Sequence, residues 1–167
     1  MKKIMIIGSA GSGKSTLAKK LEAKTGIAAT HLDALYWRPG WVATEREHWR
    51  AIQEDLCRQE SWILDGNYGR TLDIRLKHSD TIIFLDINRY VCLARVVWRI
   101  CKSYGKTRPD MPAGCPEQFD WQFFRWIFDY PKNNRPEILQ KLNALSAEKN
   151  VIVLRSPREV ANFLKGI

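Results

Sequence analysis

The sequence predicts an α/β fold of three layers, with a mostly parallel sheet of five strands between two layers of helices, and three observations point to it. Short apolar runs alternate with helical stretches along the whole chain. A complete G-x-x-x-x-G-K-[ST] loop, Gly8-Ser9-Ala10-Gly11-Ser12-Gly13-Lys14-Ser15, joins the first run, Ile4-Met5-Ile6-Ile7, to the first helical stretch. Aspartates stand where the next three strands end, at Asp33, Asp65 and Asp86, and an open parallel sheet binds ligands beyond those ends.

Strand 2–7 is a continuous apolar run of the kind buried on both faces. Helix 14–25 carries Leu17, Ala18, Leu21 and Ala23 with helical spacing and propensity. A strand near 28–32 follows, then a helix over 45–59, where Thr44 and Glu47 predict a capping box ahead of the Trp49, Ile52, Leu56 stripe. Strand 61–65, a short helix near 70–78 and strand 80–86 come next. After them the pattern gives a helix from about 89 to 105, a loop to 115, and a helix over 117–130 that Pro131 is expected to end. Helix 135–147, strand 150–155 and helix 158–165 complete the series.

No repeat, low-complexity tract or linker divides the 167 residues, so one domain over 1–167 is expected. The segment from about 100 to 130 is expected to form a short helical lid, because 105–116 is long, polar and rich in proline and glycine.

Hydrophobic residues make up 45%, yet no apolar stretch approaches the roughly 20 residues of a membrane span. The apolar run after Lys2 and Lys3 stops at Gly8, too short for a secretion signal, so a cytoplasmic protein without membrane attachment is expected. Cys57, Cys92, Cys101 and Cys115 form no C-x-x-C pair and read as reduced thiols, with Cys92 and Cys101 as small core residues and Cys115 in a segment that could expose it. The net charge of +9 is concentrated: Arg89, Arg95, Arg99, Lys102, Lys106 and Arg108 fall between Asp86 and Asp110 with no acidic residue among them.

The loop dictates the first chemistry. Gly8, Gly11 and Gly13 let the backbone turn tightly and offer its N–H groups to phosphate oxygens, with Ala10, Ser12 and Thr16 completing the cradle. Lys14 can reach the outer phosphates, the Ser15 hydroxyl can ligand Mg²⁺, and the following helix presents the positive end of its dipole. The expected ligands are therefore ATP and Mg²⁺.

Among the aspartates, Asp65 is favoured for Mg²⁺, because Gly66 gives the backbone room to turn beside the loop; Asp86, followed closely by Asn88 and a helix, is read as a helix start. Asp33 opens an irregular stretch containing Tyr36, Trp37 and Trp41. A carboxylate beside flat apolar rings suits a base or a ligand for a hydroxyl-bearing substrate. Arg95, Arg99, Lys102 and Lys106 share one helical face, with Leu93, Val97 and Ile100 turned to the protein; arginines there can neutralise a phosphoryl group in transfer.

The phosphate loop, Leu64-Asp65-Gly66 and the pair Arg95 and Arg99, in this order, resemble the adenylate-kinase-like branch of P-loop kinases over nearly the whole length. The resemblance implies a nucleotide-kinase-like sheet and lid. It further implies that Lys14, Arg95, Arg99, Arg108 and Arg125 contact phosphates, that Tyr68 and Arg70 meet the acceptor, and that Arg155 to Pro157 flank the base. More narrowly, His31-Leu32-Asp33, Asp65-Gly66-Asn67-Tyr68, Arg108-Pro109-Asp110 and Gly114-Cys115-Pro116-Glu117 are similar to bacterial proteins labelled DNA topology modulation proteins, of the FlaR type.

The chain departs from adenylate kinases at Asp33, in the missing proline after Tyr68 and in its short lid. An aspartate at that position is closer to kinases of hydroxyl acceptors such as shikimate, gluconate or nucleosides. The expected activity is an ATP-dependent phosphotransferase acting on a nucleoside, nucleotide or related alcohol, as monomer or homodimer. A DNA-associated ATP-binding protein is the alternative, and it is not favoured because the charge gathers near the phosphate cleft.

Overall fold

The computed structural model describes residues 1–108 and 111–167; Pro109 and Asp110 of the Arg108-Pro109-Asp110 element lie outside the described residues. Strands β1 (Lys3–Gly8), β2 (Ala29–His31), β5 (Trp62–Asp65), β6 (Thr81–Leu85) and β7 (Asn150–Leu154) form one parallel sheet in the order β2-β5-β1-β6-β7. The predicted five-strand sheet is thus present, with β1 at its centre. Because β1 lies between β5 and β6, the loop leaving it emerges with the ends of both neighbours on either side.

Alternation along β1 divides the core. Ile4 and Ile6 face a layer containing Leu17, Ala18 and Leu21 of α1 (Lys14–Thr25), Cys92, Val96 and Ile100 of α5 (Arg89–Ser103), Ile127 of α6 (Trp121–Asn133) and Leu164 of α8 (Pro157–Lys165). Met5 and Ile7 face Trp49 and Cys57 of α3 (Arg46–Arg58), Leu72 and Leu76 of α4 (Leu72–His78) and Leu142 of α7 (Arg135–Leu145). Among the described residues no helix is long and apolar enough to cross a membrane.

Several local expectations are corrected. The chain does not stay irregular after β2 but turns into a one-turn helix, α2 (Leu32–Tyr36), so Asp33 sits in a helical first turn two residues beyond the strand. A small hairpin of β3 (Trp37–Arg38) and β4 (Val42–Ala43) follows. Thr44 forms no capping box: its hydroxyl donates to the Tyr36 carbonyl at 2.6 Å, closing the base of the hairpin, and Glu45 is the N-cap of α3.

Pro131 does not end α6, which runs to Asn133; the bond from Asn134 N–H to the Tyr130 carbonyl spans the proline, and α7 begins at once. That helix also starts later than expected. Asp120 caps it by accepting from the Gln122 and Phe123 amides, while Glu117 is drawn into the lid segment. Val97 and Cys101 are exposed, and the buried stripe of α5 is Cys92, Val96 and Ile100; Cys115, in contrast, is buried.

The loop after β1 packs tightly on α5. A Cβ at Gly11, whose φ is 75°, would lie 2.4 Å from the Cys92 carbonyl oxygen and 2.9 Å from Val96. Gly11→Ala is therefore expected to destabilise the fold by about 2 kcal/mol, a fall of about 4–8 °C in melting temperature measured by thermal unfolding.

Candidate active site

Gly8, Gly11 and Gly13 have φ of 148°, 75° and 102°, conformations that let successive amides point inward. The first-turn amides of Lys14, Ser15 and Thr16 have no carbonyl four residues back within α1. The Ser9 and Ser12 hydroxyls are buried without a hydrogen-bond partner among the described residues. A polyphosphate with Mg²⁺ fits this donor set, which offers many N–H and O–H groups and one ammonium. Lys14 donates to the Ser9 carbonyl at 3.0 Å. Desolvation lowers its pKa from the ordinary lysine value, opposed by the charges of Asp65 and Asp33.

Asp33, in the first turn of α2, is one of the two carboxylates whose charge acts on this ammonium. Its Oδ1 accepts a 2.5 Å hydrogen bond from the Tyr68 hydroxyl. Burial, together with the Asp33 charge, raises the phenol's pKa far above its ordinary value, so Tyr68 is a donor at neutral pH. Tyr36, Trp49 and Tyr68 pack on one another with ring centroids 4.6–5.0 Å apart, and Trp37 joins Tyr36 at 4.9 Å and Trp41 at 5.5 Å. Tyr68, which bonds Asp33, thus belongs to a cluster of rings that also holds Tyr36, Trp37, Trp41 and Trp49.

Asp65, the last residue of β5, is beside His31, the last of β2, and its Oδ2 lies 2.8 Å from His31 Nδ1. Asp86 is not a helix cap. Both its oxygens accept from Arg135, at 2.7 and 2.9 Å, while the Asn88 side chain caps α5 by accepting from the Tyr90 amide.

The loop after Asp65 reaches both halves of the cleft. Asn67 Oδ1 accepts from the Gly8 amide at 3.0 Å, and Tyr68 adopts φ of 30° to place its hydroxyl on Asp33.

The arginines separate into groups. Arg95 donates to the Ser12 carbonyl at 3.2 Å and so sits on the phosphate loop. Arg99 and Arg108 meet on Glu117, whose Oε1 lies 2.9 and 2.6 Å from their Nε atoms and whose residue is 5% exposed. Arg125 is exposed and paired with Asp129 at 3.6 Å, and Arg70 is exposed in the short helical turn Gly69–Thr71. Lys106 lies beyond α5, and Lys102 covers the Trp98 ring at 4.9 Å, so the four-residue basic face is broken. Arg155 is exposed, 3.9 Å from Asp86. Pro157 lines a cavity of about 270 Å³ with Ser12, Gly13, Thr16 and Arg95, next to the phosphate loop, where a base-flanking loop is expected.

Tyr104 and Thr107 pair with Glu117 and Pro116, and the same segment meets the hairpin. Glu117 exchanges backbone bonds with Gly105 and Lys106, Gly40 N–H donates to the Gly114 carbonyl at 2.8 Å, and Trp41 Nε1 donates to the Pro116 carbonyl at 3.2 Å. Glu117→Gln is expected to lower the urea midpoint, a loss of about 1–3 kcal/mol, and to speed proteolysis within 104–117, since it leaves two arginines around a neutral group.

No protein-family profile matches the chain, and no curated protein does. Solved structures do. An unliganded sugar kinase from Janibacter sp. HTCC2649 is 19% identical, with 99% of this chain and 93% of that one aligned and a TM-score of 0.51. A gluconokinase from Sinorhizobium meliloti 1021 is 16% identical, with 98% and 87% aligned and a TM-score of 0.55. The chain shares its fold with these two structures.

Four residues given no role by the sequence reading stand in the site: His31, Asn67, Arg75 and Glu117. Arg75 carried a signal, since it shares the buried face of α4 with Leu72 and Leu76. The partners of the others come from distant segments and leave no local pattern.

Proposed function

We propose that the chain is an ATP-dependent kinase passing the γ-phosphoryl group of ATP to a hydroxyl of a small acceptor, a nucleoside, nucleotide or related alcohol. The observation that carries this reading is the short link between the phosphate loop and Asp33: Asn67 Oδ1 accepts from the Gly8 amide at 3.0 Å, and the next residue, Tyr68, donates its hydroxyl to Asp33 Oδ1 at 2.5 Å, so one segment touches both a phosphate site and a carboxylate. The two similar structures, a sugar kinase and a gluconokinase, support a hydroxylated acceptor.

Mg²⁺, when bound, supplies charge neutralisation on the phosphates. Ser15 and Asp65 are the residues that would hold it. Asp86 is the weaker candidate, because Arg135 occupies both its oxygens. Lys14, Arg95 and Arg99 would stabilise the phosphoryl charge, with Arg108 beside Glu117 and with Arg125 and Arg70 further out toward the lid and acceptor. Asp33 would orient the acceptor hydroxyl and take its proton, while Trp37 and Tyr68 shape the pocket. Arg155 and Pro157 would border the base.

The reading places the enzyme in the cytoplasm as a monomer or homodimer. The test is a coupled ADP-release assay over nucleosides, nucleotides, sugars and small hydroxy acids, with Lys14→Ala as the blank. Acceptor-dependent ADP release from the native chain is expected. Absence of any acceptor-dependent release, with salt-sensitive DNA binding instead, would replace this reading with the DNA-associated one.

A further inference from the structure

We infer that Arg75 is a positioning residue that holds the acceptor carboxylate and the phosphate loop in register through the bridge Gly66–Tyr68. The inference rests on the kinase reading above.

Arg75 is fully buried under the sheet. Its Nη1 donates to the Gly66 carbonyl at 2.6 Å, and its Nη2 to the carbonyls of Asn67 at 2.7 Å and Tyr68 at 3.2 Å. Among the described residues no carboxylate forms a salt bridge with it. A guanidinium taken out of water without a counter-ion costs stability, and an apolar side chain would fill the same space without that cost. Burial brings its pKa down to about 10, so the charge is retained at neutral pH.

What an apolar residue cannot supply is a planar fork of donors matched to three consecutive carbonyls. Those carbonyls belong to the segment that joins the two halves of the cleft. At one end Gly66 N–H donates to the Ile6 carbonyl and Asn67 accepts from the Gly8 amide, which fixes the bridge to β1 and the phosphate loop. At the other end Tyr68 is held at φ of 30°, a region that side chains other than glycine rarely adopt, and its hydroxyl reaches Asp33. Gly66 lets the bridge lie against Leu32, where a Cβ would come within 2.9 Å of the Leu32 Cβ, next to Asp33 in sequence. Released from Arg75, the tyrosine can relax to a negative φ and withdraw its hydroxyl.

The test compares Arg75→Lys and Arg75→Gln with Leu76→Ala, a destabilising variant on the same helix that touches none of the three carbonyls. Three quantities are read: the downfield NMR signal of the Tyr68 hydroxyl proton, assigned by its loss in Tyr68→Phe; ATP affinity; and kcat with the acceptor found by the panel. Arg75→Gln removes the buried charge and so guards against a variant that does not fold. Both arginine variants are expected to lose the hydroxyl signal and roughly fivefold in kcat, no more than Tyr68→Phe loses, while ATP affinity stays within about threefold. Leu76→Ala is expected to keep both signal and kcat. Folded arginine variants that retain the signal and kcat would overturn the inference, as would loss of both in Leu76→Ala in step with its stability. Failure of the kinase reading shows separately, as no acceptor turnover in the native chain, and leaves the hydroxyl signal to decide the positioning role.

Discussion

Lys14→Ala is expected to reduce turnover by about 10³-fold or more while the protein stays folded. The side chain is a poor structural strut. Its described hydrogen bond is to the Ser9 carbonyl, within its own loop, and desolvation of its ammonium works against the folded state. The sign of that cost can be measured. A folded-state pKa below the lysine value of 10.5 means that the unfolded chain binds more protons in the interval below 10.5, so stability contributed by this group rises as pH climbs through it. Native protein should show that rise relative to Lys14→Ala in urea titrations at several pH values. In the reaction the balance is reversed, because charge accumulates on the phosphoryl oxygens opposite the ammonium and no other lysine of the loop can replace it. Nucleotide binding should fall less than kcat, since the loop amides remain. A Lys14→Ala protein with native turnover would remove the phosphate loop from the chemistry.

The parts of the molecule legible in sequence are those whose cause is local. The β1 run, the loop and the start of α1 are contiguous, so strand, turn and helix dipole could be read together, and the sheet followed from apolar runs at regular distances. Asp33, Asp65 and the rings after Asp33 stand out as candidates because strand ends and ring-rich loops are short-range signals. What sequence could not show is pairing across the chain. Tyr68 meets Asp33, Asp86 meets Arg135, and Glu117 gathers Arg99 and Arg108, each joining segments that only the fold brings together. The same long-range bonds explain the local errors. Thr44 has the right spacing for a cap, yet its hydroxyl is taken by the Tyr36 carbonyl across the hairpin. Glu117 has helix propensity, but two arginines and the lid backbone hold it outside α6. The role of Arg75 depends on three carbonyls of another segment, which its own short helix does not announce.

Asp33→Asn is expected to lower kcat by about 10²- to 10⁴-fold with ATP affinity unchanged within about threefold. The substitution is nearly isosteric, and an amide oxygen can still accept from the Tyr68 hydroxyl, so the pocket should keep its shape. What is lost is a negative charge that acts on Lys14 and the capacity to take a proton from the acceptor. Those two losses are separated by Tyr68→Phe. Removing the phenol withdraws a hydrogen bond from the carboxylate and leaves Asp33 less firmly oriented. If Asp33 acts as the base, Tyr68→Phe should change kcat by less than about tenfold, whereas Asp33→Asn should show the full loss of about 10²- to 10⁴-fold. If Asp33 only orients the acceptor, the amide should serve nearly as well as the carboxylate, and Asp33→Asn should retain kcat within about tenfold while the acceptor KM rises. The kcat and acceptor KM of the two variants therefore assign the carboxylate to proton transfer or to orientation.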